Sequence, residues 1–138
     1  TMSKLTVEEL IARKKQSEND KFATIPFHVK AVDGEIMFAK KSLSKVLDMM
    51  DGMTDTDSAI ENYKLFRELI YEHCQVLHNP ELQQAYECTE PIDIVDKIFG
   101  EDLGNITEAA EVILSFYGLT DEDINKNDYL KEKENIKN

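Results

Sequence analysis

The residue types able to hold a transition metal or to form a nucleophile–base pair fall together at His73, Cys74, His78 and Cys88. Zinc sites take imidazole and thiolate ligands, and Cys74 and His78 lie one turn apart on a helix, so one helical face would present both. The spacing stops short of a site. No CxxC or HExxH arrangement fixes a full ligand set, and buried thiols with surface imidazoles are the plainer expectation. A catalytic Cys–His pair fares no better, because such proximity arises on any helix.

Near the C-terminus, Asp121, Asp123, Asn125, Asn127 and Glu132 fall at positions one, three, five, seven and twelve of a calcium loop. The turn that would make them converge is missing: Lys126 stands where the loop needs glycine, and Asp128 where an apolar residue normally packs. A solvated acidic tail is the expectation. There is no glycine-rich phosphate loop, nucleophile elbow or dinucleotide fingerprint. Paired carboxylates carry no information in a chain with 28 acidic residues. The residues therefore predict no enzyme, with no catalytic, cofactor-binding or metal-binding residue and no cofactor.

What remains is soft apolar surface. Four of the five methionines, Met37, Met49, Met50 and Met53, lie within a short stretch, and methionine accepts several packings against a variable partner. Filling gaps in an ordinary core is the competing use of such residues. Phe116, Tyr117 and Leu119, around Gly118, could extend the patch, and these seven residues are the candidate partner-binding set.

These residues need elements to position them. Thr6 with Glu9 forms a capping box that opens a helix over 6–17 with a narrow apolar stripe of Leu5, Leu10 and Ile11. From Phe22 the apolar period becomes two, and Asp33-Gly34 predicts a type I′ hairpin turn, with residues 35–39 as the returning strand. Pro26 marks an edge or bulged strand. Ser42 caps a helix ending at Gly52, a long helix spans 57–77, and Asn79-Pro80 and Pro91 open two short ones. Asn105, with Glu108, caps a last helix that stops at Gly118. The predicted fold is α+β: mainly α-helical, with a β-hairpin near the N-terminus followed by a bundle of short helices. Residues 1–125 form a single domain and residues 126–138 a charged, flexible tail.

The 138 residues suit one core, and 41% apolar with 32% charged residues is globular in balance. The net charge of −12 is uneven: residues 1–50 sum to about +2 and residues 51–138 to about −14. So acidic a portion is repelled by phosphate backbones and anionic bilayers, which argues against nucleic acid and membrane partners. Without a long apolar run or a secretory leader, a cytoplasmic location with reduced thiols is expected.

The order of segments, a capped helix, then FATIPFHVKAVDGEIMFAKKS as a hairpin, then short helices ending in ITEAAEVILSFYGL, resembles the tail assembly chaperones encoded by Gram-positive phages and prophages, including the defective prophage of Bacillus. The resemblance covers about residues 3–125 and rests on overall pattern, since the family has no catalytic motif to match. It implies a non-enzymatic protein of the host-cell cytoplasm that coats the tape measure protein until tail tube subunits replace it. The partners expected are thus the tape measure protein and the tail tube protein. Self-association through the edge strand at Pro26 or through the first helix is a further expectation. Two other classes fit the same composition: a structural phage component such as a head–tail connector, and a small metal-binding regulator.

Overall fold

A computed structural model of the chain describes residues 4–20 and 23–119. The fold is mainly α with one antiparallel hairpin: α1 (Val7–Asp20), β1 (Thr24–Val29), β2 (Gly34–Ala39), α2 (Leu43–Asp51), α3 (Ala59–His73), α4 (Pro80–Ala85), α5 (Asp93–Phe99) and α6 (Leu103–Ser115). Short 3-10 turns occupy Lys30–Val32 and Gln75–His78. No described helix is long and apolar enough to cross a membrane.

Local signals set most of the starts. Thr6 Oγ1 accepts the Glu9 N–H at 3.1 Å and donates to the Glu9 carboxylate at 3.2 Å. Ser42, Ser58 and Asn79 cap α2, α3 and α4 in the same way, with Pro80 in the first turn of α4. Three helix ends share one device. At α4, α5 and α6 a left-handed residue, Glu87, Gly100 or Gly118, is followed by an N–H bonded five residues back, which satisfies the last carbonyls. At α6 the closing residue is Leu119, bonded to the Leu114 carbonyl at 3.1 Å.

Three sequence expectations are corrected. The hairpin pairs Val29 with Gly34, so its loop is four residues with Asp33 alone left-handed, and Gly34 already belongs to the strand. A type I′ turn is replaced because this loop is held from outside. The buried Asn105 accepts the Lys30 N–H at 3.1 Å, and Gly100 lies so close to Ala31 that a Cβ on it would stand 2.9 Å from the alanine Cβ. For the same reason Asn105 is not the cap of α6. Asp102 is, accepting the Asn105 N–H at 3.2 Å, which leaves the Asn105 side chain inside the first turn and free to bind the hairpin. The long helix is also shorter than expected, ending at His73 before the 3-10 turn. Pro26 causes no bulge: it stays in register opposite Met37 in a sheet of two edge strands.

The core lies between α3 and α6, which are the most extensively packed helix pair, and is closed by the hairpin and α5. Leu65, Leu69 and Ile70 of α3 meet Ile106, Ala109, Ala110 and Ile113 of α6, all buried. The two alanines keep the helix backbones close. Phe27 lies 5.7 Å from Phe38 and 6.2 Å from Phe99, ring centre to ring centre, joining hairpin to α5. By contrast, every described side chain from Lys4 to Lys14 is exposed.

Candidate functional site: a methionine-lined groove on α3

Ser42 starts α2 so that Val46 faces the core and Met49, Met50 and Met53 come to rest half-buried against it. Met49 then lines two adjoining hollows. The larger, about 600 Å³, is bounded by Met49, Tyr71, Pro91 and Ile92, with Lys45, Glu68, Glu72 and Glu90 around them. The smaller, about 250 Å³, runs past Met49, Met53 and Leu65, with Glu61, Lys64 and Glu68 on its edge. Sharing Met49 and Glu68, they make one groove along α3, walled by α2 on one side and by the start of α5 on the other.

The rim is acidic, with four glutamates against two lysines. Lys45 is engaged, its Nζ 2.8 Å from Glu72 Oε2, tying α2 to α3. Glu61 accepts the Thr54 N–H and hydroxyl, both at 2.9 Å, and these bonds hold its carboxyl below the usual range. The α2–α3 connection is pinned by that pair.

The seven residues singled out from the sequence separate into three places. Met49 and Met53 line the groove, while Met50 packs on the core beside them. Met37 is exposed on β2, outside both hollows. Phe116, Tyr117 and Leu119 pack half-buried at the end of α6, where Tyr117 has a structural task. Its hydroxyl accepts the Lys41 N–H at 2.8 Å and stands 2.8 Å from His73 Nε2. His73 Nδ1 must donate to the Leu69 carbonyl, 2.7 Å away, and in the neutral ring Nε2 then accepts from the Tyr117 hydroxyl. Burial lowers the His73 pKa, which favours that neutral form.

His73 is therefore not the surface imidazole expected: it is almost completely buried and joins α3, α6 and the β2–α2 connection. His78 is half-buried, stacked on Tyr71 at 4.1 Å with Nε2 2.6 Å from the Tyr71 carbonyl. Cys74 is buried, which raises its thiol pKa, and Cys88 is half-buried; both are free thiols. Among the described residues no three His, Cys, Asp or Glu side chains are grouped to hold a metal ion. The calcium-loop pattern of Asp121 to Glu132, like the tail 126–138, lies outside the described residues.

Sequence reasoning missed Tyr71, Pro91, Ile92 and the rim glutamates of the groove. Pro91 and Ile92 read as a helix opening, and nothing in a local pattern brings them opposite Met49. Comparison with protein-family models, with curated proteins and with solved structures finds no match for this chain.

Proposed function

We propose that this protein is a non-enzymatic assembly chaperone, which holds an amphipathic helical client in the groove on α3, and that its client is the tape measure protein of a phage tail. The supporting observation is the pairing of Met49 and Met53 with Tyr71 and Ile92 in an open groove whose rim carries an excess of glutamate. An apolar helical stripe supplies anchors for such a groove, and basic residues beside the stripe meet the rim. Methionine side chains adapt to successive, differing turns of a long client. The naming of the client rests on the resemblance of segment order to tail assembly chaperones. A long client engaged by many copies needs only modest affinity for each, which suits later replacement by tube subunits.

Co-expression with fragments of the tape measure protein from the adjoining reading frames tests this reading. The fragments gain solubility and co-purify with the chain, and the exposed double variant Glu68→Lys, Glu90→Lys loses about tenfold in affinity for a basic-flanked fragment. Absence of any complex with the unmodified chain rejects the client. Equal binding by the charge-reversed variant rejects the groove.

A further inference from the structure

Among the described residues, α1 is a helix without cover. Val7, Leu10 and Ile11 occupy one stripe and are 73%, 54% and 65% exposed, and Arg13 and Lys14 add positive charge at the next turn. An isolated helix of 14 residues is marginal in water, since the nucleation cost is offset by few internal bonds. Its stripe is complete enough to dock, and among the described residues none of its own chain covers it.

The same chain carries a second apolar hollow, about 420 Å³, lined by Ala59, Ile60, Tyr63, Leu103 and Ile106 where α3 and α6 begin. Ile60 and Leu103 are 57% and 52% exposed although both sit in this hollow. Its charged lining is Asp96 and Glu101; Asp96 is paired with Arg67 at 3.1 Å and accepts the Tyr63 hydroxyl, which leaves Glu101 as the carboxylate for an incoming cation. At about 100° per residue, Ile60 and Tyr63 lie on a different flank of α3 from Leu65, Glu68 and Glu72 of the methionine groove, with Lys64 between the two. That groove also has Lys45 and Lys64 on its rim, which makes it the poorer fit for α1.

The geometry points to self-association in which α1 of one copy docks in the hollow between the α3 and α6 starts of a second copy. Leu10 and Ile11 enter beside Ile60 and Leu103, and Arg13 meets Glu101. The contact is heterologous, helix to hollow, so copies either exchange helices reciprocally or add head to tail. Long-range repulsion between chains of net charge −12 is screened within about 8 Å at physiological salt, which leaves the close contacts in force. Client binding uses the other flank, so the two properties fail separately.

Sedimentation velocity of the full chain at about 100 µM, a concentration suited to a small interface, tests the proposal. The unmodified chain sediments above monomer mass. Leu10→Asp with Ile11→Asp, and separately Ile60→Asp with Leu103→Asp, each give monomers with unchanged helical circular dichroism. Mixed one to one, the two variants form a dimer, because one intact helix and one intact hollow remain. Arg13→Glu alone dissociates the assembly, and Arg13→Glu with Glu101→Lys in one chain restores it; both positions are exposed, so this pair carries the test if the hollow variant fails to fold. A monomeric unmodified chain overturns the proposal, whether α1 is then found protected on its own chain or open to other proteins. So does an α1 variant that assembles normally.

Discussion

α1 and α6 are almost equal in length, 14 and 13 residues, and carry apolar positions at the same spacing, yet one is bare and the other is the centre of the core. In α6 the stripe is Ile106, Ala109, Ala110 and Ile113; in α1 it is Val7, Leu10 and Ile11, and the fourth position is Lys14. Spacing alone makes both helices amphipathic. What differs is size and closure. Two alanines let α6 lie against α3, and the terminal isoleucine completes the stripe. The α1 stripe stops after one turn and a half and presents branched residues with charge beyond. Such a helix is suited to entering a hollow on another molecule, whereas α6 is suited to a permanent place within its own.

Substitutions along the two helices test that contrast. The largest effect is expected from Ile113→Ala, which leaves a cavity in a fully buried layer and costs about 3 kcal/mol in urea unfolding. A fall below about 1 kcal/mol would mean that the α3–α6 layer collapses around the loss. Ala110→Leu should cost about 2 kcal/mol by forcing α6 away from α3. A neutral result there would show that close approach is not what distinguishes α6.

The His73–Tyr117 pair at the end of α6 gives a pH signature. Because burial lowers the folded-state pKa of His73 below its ordinary 6.5, the unfolded chain takes up the proton first as pH falls. This contribution is fully present above about pH 6.5, is lost as pH falls from there to the folded pKa, and levels off below it. Within the window the slope should be about 1 kcal/mol per pH unit, and His73→Gln should remove it. An unchanged slope in the variant would dissociate α6 docking from this histidine. The smallest effect belongs to α1: Leu10→Ala in dilute protein should change unfolding free energy by no more than about 0.5 kcal/mol. A cost above about 1 kcal/mol would mean that α1 is packed within its own chain.

Much of the architecture was legible in the residues. Thr6, Ser42 and Asn79 place helix starts, Gly100 and Gly118 place stops, and the alternation around Phe27 and the following Asp33-Gly34 place the hairpin, because each acts through bonds within a few residues. The candidate site was legible only in part. The cluster of methionines directed attention to Met49 and Met53, but the same composition could not separate them from Met37, which lies on the outer face of the hairpin, or from Tyr117, which is held by His73 and Lys41.

By itself, then, the sequence determined which segments are helical or extended, several of the caps and stops that bound them, and that the greater share of the acid lies in the second half of the chain. The tertiary structure alone decided the four-residue hairpin loop, the inward turn of Asn105, the burial of His73 and the meeting of Met49 with Pro91 and Ile92. The physical reason is range. Caps and periodicity are satisfied by neighbours a turn away, whereas a groove or a buried polar group takes its environment from segments tens of residues distant, and its energy depends on how closely they pack.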